Sequence, residues 1–160
     1  MRWQIAHLKW LIISLVVVVL DQLSKMWILT FLRPAEIFPV LPFFNLSLSF
    51  NSGAAFSFLA DAGGWQLVFF SAISMVAIIL LSIWLVSLQK TSWSSAGALA
   101  LVIGGAAGNL IDRVRVGYVT DFLDFYYQHW HFAMFNVADA AICIGAALLL
   151  LNNFLQTRSA

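Results

Sequence analysis

Four stretches of this chain, residues 8–31, 65–88, 95–111 and 135–155, are long and apolar enough to cross a lipid bilayer. No other feature restricts the fold so strongly, because in hydrocarbon every backbone N–H and C=O must be paired within the protein. Helices meet that demand segment by segment, whereas an open strand does not. Composition points the same way: of 160 residues, 62% are hydrophobic and 9% charged, against roughly 25% charged in a soluble domain. The expected fold class is therefore an all-α integral membrane protein with four transmembrane helices, a single domain over residues 1–160. A net charge of +1 with scattered Lys and Arg leaves no basic stripe, so nucleic acid is not an expected partner.

The N-terminus has the outline of a secretory leader, with Arg2 and Lys9 ahead of the apolar run 11–20. No small-residue cleavage site follows. Asp21-Gln22-Leu23-Ser24-Lys25 and then Met26-Trp27-Ile28-Leu29 follow instead, so a retained anchor is expected. The connection 32–64 holds all three prolines (Pro34, Pro39, Pro42) and then the alternating run 44–50, which predicts a short strand, ended by a turn at Asn51-Ser52-Gly53. Such a strand must lie at the interface or against the helices. Residues 90–94 read as a polar hinge. The connection 114–134 carries Tyr118, Phe122, Phe125, Tyr126, Tyr127 and Trp130 together with Asp121 and Asp124, a mixture suited to the headgroup region.

Counting spans then decides where the polar residues fall. With four of them, both long connections lie on one side of the membrane, and both termini and Lys90 on the other. Asp21 and Lys25 are in the exit half of the first span, Asn109, Asp112 and Arg113 at the exit end of the third, and Asn136 and Asp139 at the entry end of the fourth. All belong to one face, over which the two connections close. Arg2, Lys9, Lys90 and Arg158 on the terminal side, against Arg33, Arg113 and Arg115, orient the termini to the cytoplasm and the polar face outward.

An ionisable group inside a span costs roughly 2.5–3.5 kcal/mol on insertion scales and is a functional hypothesis by default. Asp139 stands three residues after Asn136, on one helical face with small neighbours at Ala138, Ala140 and Ala141. It reads either as a carboxylate bonding helices together or as half of a proton-sharing acid–base pair. From spacing, its partner is Asp112, Asp121 or Asp124, with Asp112, adjoining Arg113, more simply an ion-pair or cap residue. Asp21 and Lys25 have the i, i+4 spacing of an ion pair; a serine–lysine dyad is the rival, poor for Ser24 and open for Ser52 or Ser57. Gly104-Gly105-Ala106-Ala107-Gly108 permits close helix approach. His129 and His131 have no further ligand nearby, so no metal is expected. The lone Cys143 reads as a small core residue.

Asp21-Gln-Leu-Ser-Lys25, Phe50-Asn51-Ser-Gly-Ala-Ala-Phe-Ser57, Gly104-Gly-Ala-Ala-Gly-Asn-Leu-Ile-Asp-Arg113, Val119-Thr-Asp-Phe122 and Phe135-Asn-Val-Ala-Asp139 resemble, in order, the motifs of bacterial lipoprotein signal peptidase (signal peptidase II). Each is loose alone; the ordered series, from about Asp21 to Gly145, is specific. The resemblance implies a small extracytoplasmic β cradle and a short interfacial helix over the site. It makes Asp121 and Asp139 the catalytic pair, with Asn51, Gly105, Asn109, Arg113 and Asn136 binding substrate and Asp21, Lys25 and Asp112 in support. The implied reaction is removal of the signal peptide from a diacylglyceryl-modified prolipoprotein, just before the lipidated cysteine, with membrane lipids as surroundings and neither cofactor nor metal. A monomer in the bacterial inner membrane is expected. The chain departs from the family in having Ala133-Met134 where a proline often precedes Phe-Asn. A proton-coupled carrier or channel using Asp21, Lys25 and Asp139 is the rival reading, and a lipid-binding scaffold a third.

Overall fold

The computed structural model describes residues 5–53, 64–88 and 92–158. Four helices long and apolar enough to cross a membrane occupy His7–Phe31, Trp65–Ser87, Trp93–Val116 and Val137–Leu155. The first is a 3-10 turn, Ile5–Trp10, running into α1, Leu11–Phe31; the others are α2 (Trp65–Ser87), α3 (Trp93–Val116) and α4 (Val137–Arg158). α3 packs against each of the other three and is the axis of the bundle. Of α2 only Gln66 and Leu85 are buried, as suits a helix facing acyl chains.

α3 runs five residues beyond its apolar stretch. Asp112, Arg113 and Arg115 continue the helix because their charges face the polar end of the bundle, and Gly117, at φ 85°, closes it with its N–H on the Arg113 carbonyl. α4 starts two residues late, because Phe135 is taken into a bridge with Leu123.

The connections build one antiparallel sheet in the order β1 (Ile37–Leu41), β2 (Phe44–Asn51), β3 (Val119–Tyr127) and β4 (Trp130–His131). The alternation in 44–50 is thus a strand, as read. The aromatic segment after α3 is also largely strand: β3 pairs along β2 with Asn45 opposite Asp124 and Ser49 opposite Asp121. This ladder joins the two long connections, so both lie at the same end of the bundle. Pro39 lies in the edge strand β1, where a missing N–H costs no ladder bond on the open side. Ile28 of α1 and Leu32, just beyond its end, pack with Leu48 and Phe122, fastening the sheet onto the helices. No short interfacial helix lies among the described residues; residues 54–63, with Ser57, are outside them, as are Arg2 and Lys90.

Candidate active site

Under the sheet, the polar residues of three helices form one buried network. Lys25 is only 3% exposed and Asp21 not at all. The ammonium donates to Asp21 Oδ2 at 2.8 Å and to Asn109 Oδ1 at 3.0 Å, and is ion-paired with Asp112 Oδ2 at 2.7 Å. Asp21 and Lys25 therefore pair as their spacing suggested. Asp112, however, pairs with Lys25 across helices, and also accepts the Gln22 amide at 2.8 Å and the Thr120 N–H at 3.4 Å. Adjacent helical residues point about 100° apart, which turns Asp112 away from Arg113. The Ser24 hydroxyl donates to the Asp21 carbonyl within its own helix.

This network fixes the next layer. Lys25 can only donate, so the amide oxygen of Asn109 must face it and the Nδ2 must face away. That Nδ2 donates to Asp139 Oδ1 at 2.7 Å. Asp139 is meanwhile held at the start of α4 by a reciprocal cap: its N–H donates to Asn136 Oδ1 at 3.0 Å, and its Oδ2 accepts the Asn136 N–H at 3.2 Å. Asp21 supports the same turn by accepting the Ala138 N–H at 2.9 Å.

Asp121 arrives from β3. Asn136 Nδ2 donates to its Oδ1 at 2.7 Å and Asn51 Nδ2 to its Oδ2 at 3.1 Å. Asn136, fully buried, thus touches both carboxylates. Burial, and then the like charge of Asp139, push the Asp121 carboxyl up to about 7, against the opposing hydrogen bonds of Asn51 and Asn136 and the charge of Lys25.

Asp121 and Asp139 border one cavity of about 480 Å³ together with Asn51, Asn109 and Arg113. Arg113 donates to the Gly53 carbonyl at 3.2 Å and lies beneath the ring of Phe70. The remaining wall is apolar: Val119, Phe132 to Phe135, Ala140, Ile142 and Cys143. Of the expected substrate residues, the fully buried Asn136 does not border this cavity, and neither does Gly105. Gly105 lies where α3 crosses α4, and a Cβ there would strike the Ala138 carbonyl. Cys143 is exposed, a correction to its reading as a core residue: in a span, an apolar run does not tell core from lipid face, and i, i+4 from Asp139 carries Cys143 to the cavity. Asp124 is turned to a different cavity. Among the described residues no three His, Cys, Asp or Glu side chains converge on a metal site.

Sequence reading missed Gln22, which bridges Asp21 and Asp112. Its only signal was a place beside two intramembrane charges.

Two carboxylates with an apolar wall on one side and amide donors on the other can share a proton and activate water. The profile described as Signal peptidase (SPase) II matches residues 13–155. A lipoprotein signal peptidase of Coxiella burnetii (strain RSA 331 / Henzerling II) is 49% identical over 150 residues, covering 94% of this chain and 92% of that protein. One of Shewanella sediminis (strain HAW-EB3) is 49% identical over 154 residues, covering 96% and 88%. Two solved structures of bacterial membrane enzymes align with TM-scores of 0.86 and 0.78, at 31% and 30% identity. They cover 98% and 95% of this chain, and 94% and 96% of their own.

Proposed function

The chain belongs to the signal peptidase II family, and from that premise we propose that it is an aspartyl endopeptidase whose working pair is Asp121 and Asp139. Its activity is cleavage of signal peptides from prolipoproteins, in a multi-pass membrane protein. One observation carries the aspartyl assignment: a single buried asparagine hydrogen-bonds both carboxylates at the edge of a common cavity.

With one proton between them, one carboxylate takes a proton from water as the oxygen attacks the scissile carbonyl, while the other donates its proton to the carbonyl oxygen. Collapse of the tetrahedral intermediate then breaks the C–N bond, and the leaving amine carries off a proton. Asn109, Asn136 and Asn51 hold the pair in register, and Arg113 and Asn51 are the cavity's donors for substrate main chain. Asp21, Lys25 and Asp112 support them from below.

The substrate is a prolipoprotein bearing diacylglycerol on the cysteine that follows the cut. The apolar wall through Ile142 and exposed Cys143 favours this, since acyl chains can remain in lipid while the peptide bond meets Asp121. Every group invoked comes from one chain, so a monomer suffices. The termini face the cytoplasm and the site the opposite surface, in the bacterial inner membrane.

In purified form, the protein is expected to cleave a diacylated lipobox peptide and to leave its non-acylated counterpart intact. Asp121→Asn and Asp139→Asn should each lower the rate by at least ~100-fold, the order of a lost general acid or base. Full activity in either variant rejects the pair.

A further inference from the structure

Asp121 borders a second cavity, of about 470 Å³, that shares Asn51 and the strap of residues 132–134 with the first. Its remaining wall is different in kind: Ile37, Ser47, Ser49, Asp124 and His131. The alternation of β2 puts Asn45, Ser47, Ser49 and Asn51 at every second position, and Ser49 is the cross-strand neighbour of Asp121. The Ser49 hydroxyl has no hydrogen-bond partner among the described residues.

Asp124, only 3% exposed, has no part in the chemistry above. It accepts Asn45 Nδ2 at 3.0 Å and pairs with His131 Nδ1 at 2.8 Å. A carboxylate only accepts, so Nδ1 carries the hydrogen and Nε2 is turned outward. The imidazole also stacks on Tyr126, with centroids 5.4 Å apart. A half-exposed ring clamped from two sides at the edge of a cavity is organised to meet a ligand.

We propose that this second cavity is a subsite for the few substrate residues that follow the lipidated cysteine, with Ser49 and His131 as the groups that select them. The inference rests on the reading of the site given above. Three groups radiate from the scissile bond: the apolar leader, the acyl chains on the cysteine, and the continuing polypeptide. The first two belong in lipid and fit the apolar cavity. Only the third must leave toward water, and only the cavity walled by the sheet offers it hydroxyl and imidazole partners. Ser49 and the outward Nε2 bind its main chain and small polar side chains.

The test uses full-length protein and two diacylated lipobox peptides, one ending at the cysteine as an amide and one extended by three polar residues. For the unaltered protein, the extension should lower KM about tenfold, the yield of one or two hydrogen bonds. Ser49→Ala and His131→Leu should each shrink that ratio of KM values to about threefold or less, with kcat for the extended peptide little changed. A role of His131 in holding the β3–β4 hairpin alone would raise KM equally for both peptides, leaving the ratio intact. That result, or no benefit from the extension in the unaltered protein, overturns the subsite. Should His131→Leu fail to fold, Ser49→Ala decides by the same ratio. Cleavage of neither peptide by the unaltered protein would instead overturn the peptidase reading, and the subsite with it.

Discussion

At the scale of single residues, the most telling group is Asp121, whose carboxyl is pushed up to about 7 first by burial and then by Asp139. The folded state binds this proton more tightly than the unfolded chain, where an aspartate titrates near 3.9. Folding stability is thus drained as pH rises from about 4 to about 7, and the drain is complete above that window. Asp121→Asn removes the charge and keeps the shape. It should therefore unfold a few degrees higher than the unaltered protein at pH 8 and at nearly the same temperature at pH 4, measured in detergent by tryptophan fluorescence. An equal shift at both pH values would show that this carboxylate is not strained by ionisation. A loss of stability joined to a gain of activity is what a site built for chemistry entails.

At the scale of elements, the site depends on how closely α3 and α4 approach. Gly105 makes that approach possible, since a Cβ there would meet the Ala138 carbonyl and Ile142 Cγ1; Gly108 instead makes room for α1, since a Cβ there would lie 2.7 Å from Asp21 Oδ2. Gly105→Ala should force the helices apart, at a cost of about 1–3 kcal/mol. The Asn109–Asp139 bond spans this crossing, so cleavage should fall along with the unfolding midpoint. An unchanged midpoint would mean that the crossing relaxes freely. The start of α4 is the second critical element, because one helix turn supplies the cap, the carboxylate and the asparagine that reaches Asp121. The spacing of Asn136 and Asp139 was legible as a shared helical face, while the reciprocal cap they form was not. Nor was the strand β3, because its aromatic and acidic run has no clean alternation and a bulge interrupts its ladder with β2.

At the scale of the whole molecule, the cavity holding Asp121 and Asp139 reaches the lateral surface at Cys143. An apolar maleimide added to membranes should therefore label Cys143 and block cleavage, with Cys143→Ala as the unlabelled control, and a bound diacylated peptide should slow the labelling. Mass spectrometry of the protein reads both. Labelling unaffected by substrate would detach this opening from the substrate path. The residues in their linear order already determined the membrane class, the number of spans and the gathering of Asp21, Lys25, Asn109, Asp112, Asn136 and Asp139 at one end. Helix length and span parity are properties of local runs, so they can be read without contacts. The motif series also named Asp121 over Asp124. Only the tertiary structure decided that Asp112 answers Lys25, that Gly105 serves helix packing, that Cys143 is exposed and that Asp124 clamps His131 beside a separate cavity. Each of these turns on which way a side chain faces across a helix crossing or a strand ladder, and that direction is set by partners dozens of residues away.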